Sequence, residues 1–367
     1  MKRKIIETLL IISILPGCSG SSNEEQQSDE LAAVDTLVYE GEKNLTNVIQ
    51  LTFGADNAEA YWSFSGEMIT FQSNNSEWGV NCDQIFFTEV SDANPVTQKP
   101  QMISNGLGRT TCPYFMPGDS TIIFASTHPG GNDCPPEPDR SSGKYVWPVY
   151  SSYDLFIADL KGNIITRLTD EPGYDAEATL SPKGDKIVFT SDRSGDLELY
   201  IINTDGRGIT QITNELGYDG GAFFSPDGTK LVFRASRPKT EEEISEYKNL
   251  LSQGLVEPTM MELFVCNIDG SNMRQITNLG KANWAPFYHP SGRKIIFSSN
   301  HHGSIGFQFN LFMINEDGSG LEQITFDPVF DSFPMFSPDG KRLIFSSNRN
   351  NKGTRDTNLF IAEWVEN

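Results

Sequence analysis

The chain has 367 residues, of which 28 are lysine or arginine and 49 are aspartate or glutamate, so its formal net charge is −21. This acidic excess opposes binding to nucleic acid and direct adsorption to an anionic membrane, because both need clustered basic residues. It is compatible with solubility and with cationic, neutral or calcium-bridged partners.

The first 17 residues have the pattern of a signal peptide. Three basic residues at 2–4 precede an apolar stretch at 5–15 that is too short to span a bilayer. The stretch ends in Leu-Pro-Gly-Cys, which resembles the bacterial lipobox. That resemblance implies cleavage before Cys18 and lipidation of its thiol, which supplies membrane affinity without a transmembrane helix. The alternative is an ordinary signal peptide followed by an unmodified cysteine.

Residues 18–45 are polar and acidic, and predict a flexible tether. Ser19 after the lipidated cysteine favours the outer membrane, by the usual sorting rule for this class of lipoprotein. The acidic run that follows is also typical of export to the cell surface, so the side of the outer membrane stays open. We expect a cell-envelope protein that contacts the membrane only through its lipid.

A repeat organises residues 46–367. A turn of the Ser-Pro-Asp-Gly type, in strict or weaker form, begins at residues 63, 116, 181, 225, 289 and 337. Each turn is followed by two short apolar runs, and in all repeats but the last these are followed by a segment that ends in Thr or Ser, such as ITQIT at 209–213. Short strands between Pro, Asp and Gly turns at regular spacing predict an all-β closed architecture.

The strands of one repeat are named a, b, c and d in chain order, and strand a precedes the Ser-Pro turn. There are six a–b–c sets and six d segments, but the first d segment, VIQLT at 48–52, precedes the first strand a, and none follows the last strand c. The counts match only if VIQLT pairs with the last sheet. Such closure removes the free sheet edges of a linear array, and predicts a six-bladed β-propeller.

These repeats resemble the TolB-type propeller repeat, which also occurs in the propeller domains of prolyl oligopeptidase relatives. The resemblance covers about residues 46–366 and implies the fold rather than the function, because propellers host many functions. The sequence has no GxSxG elbow, and we expect no hydrolase domain after Val365. Both points oppose the activity of the peptidase relatives.

Chain direction predicts tight a–b and c–d hairpins on one face of the disc, called the hairpin face, and the b–c and d–a connections on the other, called the loop face. Every long insertion is a b–c connection, at about 127–152, 236–260, 300–309 and 347–356. Irregular loops on a rigid scaffold are the usual place for binding. The Pro-rich insert of blade 2 predicts an ordered loop or a lid.

The insert of blade 4 has the pattern of a helix. Thr240 and Glu243 form a capping box that would open it. Apolar residues then recur at helical spacing, and Gly254 can end the helix.

Two positions of strand a are candidate binding positions, because strand a is the innermost strand and its start should ring the channel mouth. The first position holds Asn57, Thr110, Asp175, Asp219, Asn283 and Asp331. Two residues later the sequence has Glu59, Cys112, Glu177, Gly221, Ala285 and Phe333. Their carboxylates predict an acidic funnel that binds a cation, an amine or sugar hydroxyls. The alternative is structural, with the Asp residues capping neighbouring backbone N–H groups.

The four histidines of the chain differ in where the repeat places them. His289 lies in a tight a–b turn and is interpreted as a turn substitution, whereas His128 follows strand b of blade 2, and His301 and His302 follow strand b of blade 5. Blades 2 and 5 are opposite one another, and a catalytic metal needs tighter convergence. We therefore predict no metal site and no cofactor, with a structural or bridging calcium left open, and keep these three histidines as candidate hydrogen-bonding residues.

Three cysteines fall on the loop face of blades 1 and 2, namely Cys82, Cys112 and Cys134, whereas Cys266 lies in strand c of blade 4 and should be buried. In an oxidising envelope a disulfide among the first three is expected. We predict a Cys112–Cys134 pair that pins the Pro-rich insert, with a zinc site as the alternative.

The function that these patterns favour is a monomeric, non-enzymatic envelope lipoprotein that presents its propeller to a protein, a peptide or a glycan. One alternative is a propeller enzyme acting on polysaccharide, of the oligogalacturonate lyase type, whose family uses a cluster of His and Gln around a metal inside the channel. Another is an accessory subunit of an exported peptidase.

Overall fold

The computed structural model of the protein describes residues 37–90, 94–141 and 143–366. These residues form six four-stranded antiparallel sheets and one small two-stranded sheet, which confirms the predicted six-bladed β-propeller. The predicted signal peptide, the lipidation site Cys18 and the start of the tether lie outside the described residues. Within those residues no helix is both long and apolar enough to cross a membrane.

Strands a to d of each blade run in order from the channel outwards. Blade 1 comprises Asn57–Trp62, Met68–Ser73, Gln84–Glu89 and Gln101–Met102, and blade 2 comprises Thr110–Phe115, Thr121–Ser126, Asp154–Asp159 and Ile164–Arg167. Blade 3 comprises Asp175–Leu180, Lys186–Ser191, Glu198–Asn203 and Thr210–Gln211, and blade 4 comprises Asp219–Phe224, Lys230–Ala235, Glu262–Asn267 and Arg274–Gln275. Blade 5 comprises Asn283–Tyr288, Lys294–Ser299, Asn310–Asn315 and Glu322–Gln323, and blade 6 comprises Asp331–Phe336, Arg342–Ser347, Asn358–Trp364 and Leu45–Gln50.

The ring closes through an early segment of the chain, as the repeat count predicts. Strand Leu45–Gln50 pairs antiparallel with Asn358–Trp364, with Ile49 opposite Ile361 and Gln50 opposite Phe360. The first and last strands of the propeller are thereby paired in one sheet. The core lies between the blades, where each strand b buries one phenylalanine completely: Phe71, Phe124, Phe189, Phe233, Phe297 and Phe345. Burying such a side chain stabilises the fold by about 1.5–3 kcal/mol.

The predicted boundary of the tether at residue 45 is wrong for residues 37–44. Glu42 is only 3% exposed, and its carboxylate lies 3.1 Å from the guanidinium of Arg349. Asn44 donates a side-chain hydrogen bond to the carbonyl of Val365. This polar segment therefore docks on blade 6 through charge and hydrogen bonds, which hydrophobicity along the sequence does not reveal.

The helix predicted in the insert of blade 4 is present as α1 (Glu241–Ser252). The Thr240 hydroxyl accepts from the backbone N–H of Glu243, and the Glu243 side chain accepts from the N–H of Thr240, which completes the capping box. Two one-turn 3-10 helices, Ser76–Trp78 and His128–Gly130, lie in the b–c connections of blades 1 and 2. The b–c connections thus carry all the helical structure described.

Candidate ligand-binding cavity

A cavity of about 260 Å³ lies at the loop end of the six innermost strands. The third residue of every strand a lines it: Glu59, Cys112, Glu177, Gly221, Ala285 and Phe333. These are the six residues that the sequence placed two positions after the start of strand a. The structure therefore brings the second predicted ring together, including the candidate binding residues Glu59 and Glu177.

Each of these six residues is a bulge in its strand. All six have a positive φ, between 47° and 59°, and the strand register shifts at each of them. A left-handed conformation costs a residue with a side chain about 1–2 kcal/mol. Five of the six are not glycine, so the fold sustains this strain repeatedly around the channel. Residues held in such conformations concentrate at ligand sites.

Aromatic side chains form the floor of the cavity. Tyr61 lies with its ring centroid 5.6 Å from Tyr114 and 5.8 Å from Phe223, and Phe223 lies 5.2 Å from Phe287. Below them a second hollow of about 270 Å³ opens on the hairpin face, lined by prolines of the Ser-Pro turns. The rings thus divide the channel into two chambers.

The inserts of blades 2 and 4 form the roof, which is called the lid. Strand Trp147–Pro148 pairs antiparallel with Leu255–Val256, and together they are the two-stranded sheet. Trp147 and Val256 line the cavity, and the Trp147 ring lies 5.0 Å from that of Trp284 in blade 5. The Pro-rich insert is therefore a lid, one of the two forms predicted for it, although its pairing with the insert of blade 4 has no signal in the sequence.

One wall holds a buried ion pair. The guanidinium of Arg234 pairs with the carboxylate of Glu177, and its Nη2 donates to the Tyr218 hydroxyl at 2.8 Å. Burial alone would raise the pKa of Glu177, but Arg234 and the hydroxyl groups of Thr190 and Tyr218 lower it overall. Glu177 therefore stays ionised and neutralised by Arg234.

The other carboxylate of the cavity, Glu59, has no such partner. Among the described residues no Lys, Arg or His nitrogen lies within 4.0 Å of its oxygens. The Tyr61 hydroxyl lies at a long 3.5 Å from Oε2 of Glu59. Burial raises the pKa of Glu59 to about 7, while a hydrogen bond with Cys112 lowers it. Burial also raises the pKa of the neighbouring Cys112 thiol.

The first ring of candidates is not in the cavity. Asp175, Asp219 and Asp331 are at most 2% exposed, and none of them lines the cavity. Each forms an ion pair with an arginine two residues beyond the end of strand b in its own blade: Asp175 with Arg193, Asp219 with Arg237 and Asp331 with Arg349. The expectation that these aspartates ring the channel mouth is wrong, because internal cations hold them inside the blades.

Two of the candidate histidines occupy the position of those arginines. The Nδ1 atom of His128 lies 2.8 Å from the Ser126 hydroxyl, and that of His301 lies 2.8 Å from Ser299, just as Nε of Arg193 lies 2.8 Å from Ser191. Strand a of these two blades begins with the neutral residues Thr110 and Asn283 instead of Asp. An arginine therefore follows strand b in the blades whose strand a begins with aspartate. A histidine follows strand b in blades 2 and 5, whose strand a begins with a neutral residue.

The remaining histidines and Asn283 also have hydrogen-bond partners inside the propeller. His302 Nε2 lies 2.8 Å from Oδ1 of Asn310. Asn283 donates to the carbonyl of Met261 and to Glu262. His289 Nδ1 lies 2.9 Å from the Ser291 hydroxyl within the a–b turn, which confirms the turn substitution.

The predicted disulfide is corrected by the structure, in which Cys82 pairs with Cys134. Cys112 is free, because its place in the bulge of strand a turns it to the channel, whereas Cys82 lies in the b–c connection of blade 1 beside the insert. Cys266 is buried, as predicted. The part of the chain that the structure describes contains no group of three or more His, Cys, Asp or Glu residues arranged to hold a metal ion.

Sequence reasoning missed Arg234, Tyr218 and the arginines that pair with aspartates. A signal for the arginines is present, since Ser-X-Arg or Ser-X-His follows strand b in blades 2, 3, 5 and 6. A signal for Arg234 is the Gly220–Gly221 pair in strand a of blade 4, where side chains would meet Glu177 and Arg234.

Comparisons with known proteins agree with this fold. A family model described as the TolB beta propeller domain matches residues 255–354. The putative TolB from Agrobacterium tumefaciens superposes with a TM-score of 0.53 at 18% identity, over 85% of this chain and 91% of that one. TolB from Acinetobacter baumannii gives 0.51 at 16% identity, over 86% of this chain and 64% of that one. At these identities the likeness concerns the fold alone.

The protein is thus a six-bladed β-propeller with a cavity on its loop face that is covered by the lid. Residues 255–354 match the TolB propeller family model, and the ring as a whole has the fold of the two TolB structures.

Proposed function

We propose that this protein is a cell-envelope lipoprotein whose propeller is a non-catalytic scaffold that binds a protein or peptide partner at the loop face. The basic, apolar and Leu-Pro-Gly-Cys pattern of residues 1–18 supports the envelope location and the lipid anchor. The propeller is a rigid scaffold that carries long loops on one face, and such loops often form binding sites.

The lidded cavity is the observation that carries this proposal. Its volume of about 260 Å³ is just below the range of roughly 300–1,000 Å³ that is usual for small-molecule sites. A chamber of this size accepts one side chain or one chain end of a partner more readily than a stretch of glycan. Nine of its 24 lining residues are aromatic, and aromatic side chains are common in sites that anchor a partner through a few buried groups.

The loop face around the lid also offers contact surface to a larger partner. Met260 in the insert of blade 4 is 65% exposed, and Ile305 and Phe307 in the insert of blade 5 are 45% and 62% exposed. These three exposed side chains give the loop face apolar surface that a protein partner could cover.

The chemistry of the polar residues in and near the cavity supports binding over catalysis. The Cys112 thiol has a raised pKa, and a thiol that stays protonated is a poor nucleophile. Glu177 is neutralised by Arg234. The rings of His128 and His301 lie against Phe156 and Phe312 and bond to serines inside their blades.

A photo-crosslinking experiment tests the proposal. A photoreactive phenylalanine replaces Tyr145, which is 46% exposed in the lid, and in a matched variant it replaces Lys183, which is exposed in a turn of the hairpin face. We expect one defined envelope protein to be cross-linked from position 145 and not from position 183. Cross-linking from position 183 alone, or from neither position, would overturn the proposal.

A further inference from the structure

Building on the proposed binding role, we propose that the central cavity binds one organic ammonium group, with the carboxylate of Glu59 as its counter-ion and aromatic rings as its walls. The group can belong to a lysine side chain or to the N-terminus of a partner. The inference rests on charge, on the composition of the walls and on volume.

The charges that line the cavity leave Glu59 as the unpaired one. Glu177 and Arg234 neutralise each other. Arg109, at the rim, pairs with Glu137 and lies 3.5 Å from Asp83. An unpaired carboxylate in an enclosed space favours a cation, because the cation restores the interactions that burial removes.

The walls already hold one cation. The guanidinium carbon of Arg234 lies 5.3 Å from the ring centroid of Trp147 and 5.1 Å from that of Tyr218. Both distances are within the roughly 6 Å at which a ring face attracts a cation. Further aromatic residues complete the lining: Tyr61, Tyr150, Tyr153, Tyr174 and Trp284. Such walls suit an alkylammonium better than a carboxylate.

A calcium ion fits this space poorly. Calcium takes about six to eight oxygen ligands, largely from carboxylates and carbonyls. Among the described residues no group of three or more His, Cys, Asp or Glu side chains is arranged to hold a metal ion. An ammonium group needs only one carboxylate and a few acceptors, and its alkyl part gains from contact with the rings.

The groups that face Glu59 come from blades 1 to 4. They are Tyr61 and Asp83 in blade 1, Cys112 in blade 2, Glu177 in blade 3 and Arg234 in blade 4. Because burial raises the pKa of Glu59 to about 7, the carboxylate is mostly protonated at pH 6 and mostly ionised at pH 8. Ammonium binding should therefore strengthen as the pH rises across this range.

Calorimetric titration of the purified protein tests the inference. The probes are n-butylammonium and its neutral counterpart n-butanol, followed by Nα-acetyl-lysine methylamide and glycylglycine amide, which present a side-chain and an N-terminal ammonium. We expect n-butylammonium to bind about tenfold more weakly at pH 6 than at pH 8, since the ionised fraction of a group with a pKa near 7 changes by about that factor. Binding of either peptide probe identifies the source of the group.

Three variants complete the design. Glu59→Gln should weaken n-butylammonium binding at least about tenfold at pH 8, whereas Glu171→Gln, which removes an exposed carboxylate from a d–a connection of the same face, should not. Glu59→Asn is the second variant, because Asn tolerates a positive φ such as the 53° at this position. Equal binding of n-butanol and n-butylammonium, or wild-type binding by folded Glu59 variants, would overturn the inference.

The outcome is separable from that of the proposed function. A partner cross-linked from position 145 without ammonium binding overturns the present inference alone. Ammonium binding by a protein that cross-links no envelope partner overturns the proposed function alone.

Discussion

The guanidinium of Arg234 occupies the space that a side chain at Gly221 would fill. A Cβ atom on Gly221 would overlap Nη1 of Arg234, and Gly221 also has a φ of +58°. Among the six bulge residues that line the cavity, this is the only glycine. It allows Arg234 to reach Glu177 from strand b of the next blade and so to neutralise one of the two buried carboxylates.

Gly221→Ala should therefore be more costly than an ordinary glycine substitution. Gly54→Ala is the matched control, because Gly54 has a φ of +77° and a Cβ atom added there would meet no other atom within 4 Å. The control should lose about 1–2 kcal/mol of unfolding free energy from backbone strain. Gly221→Ala should lose at least about 1 kcal/mol more from overpacking. Urea unfolding measures both, and equal losses would contradict this account of the cavity wall.

Arg349 ties the N-terminal segment to blade 6. It is at most 2% exposed and contacts Glu42 at 3.1 Å and Asp331 at 2.9 Å. Arg349→Met leaves two buried carboxylates without a cation, so we expect the unfolding free energy to fall by about 3–5 kcal/mol. Arg355→Met, at an exposed position of the same insert, should change it by less than about 0.5 kcal/mol. Similar unfolding midpoints for the two variants would argue against the docked segment 37–44.

The disulfide joins residues 52 positions apart in sequence. In the chain-entropy description a loop of this length contributes about 4 kcal/mol. A Cys82→Ser, Cys134→Ser double variant should lose about 2–4 kcal/mol of stability, whereas Cys112→Ser should retain the bridge. Peptide mapping under non-reducing conditions identifies the pair directly. Recovery of a peptide linked through Cys112 would show that the bridge is the one predicted from the sequence.

Stability should depend on pH through Glu198 in strand c of blade 3. Burial, with the carboxylates of Asp219 and Asp196, raises the pKa of Glu198 to about 8. The folded state then holds this proton more tightly than the unfolded chain, so stability falls as the pH rises from about 4.5 towards 8 and then levels off.

Glu198→Gln should flatten this fall in a series of melting temperatures between pH 6 and 8.5. Glu262→Gln is the control, because Glu262 has the same position in blade 4 but faces the neutral Asn283 and Thr277. That variant should keep the fall seen in the wild type. Identical pH profiles for wild type and Glu198→Gln would contradict the assignment.

The ring, its closure and its two faces could be predicted from the sequence, because the Ser-Pro turns and the short apolar runs are local and repeat six times. The second ring of cavity residues could also be located, since its members precede strand b by a similar number of residues in each repeat. Its conformation could not: Glu59 and Phe333 have a positive φ that no local residue preference indicates.

Whether an acidic residue is neutralised depends on its partner, and the sequence pattern did not identify those partners. Asp331 and Glu59 are both acidic residues near the start of a strand a. Arg349 neutralises Asp331, whereas among the described residues no cation pairs with Glu59. The pairing of the two inserts into a lid is likewise a contact between segments about 100 residues apart, at Trp147 and Val256. A repeat pattern carries no information on contacts of this kind.

Alkylation of Cys112 reports on the cavity most directly, because this thiol lines it and the other free cysteine described, Cys266, is buried. Mass spectrometry of the Cys112 peptide gives the rate of reaction with N-ethylmaleimide at pH 8.5, with and without saturating n-butylammonium. If a ligand occupies the space beside Glu59, the rate should fall at least about fivefold in the wild type and stay unchanged in Glu59→Gln. An unprotected Cys112 in the wild type would show that the cavity is not the binding site.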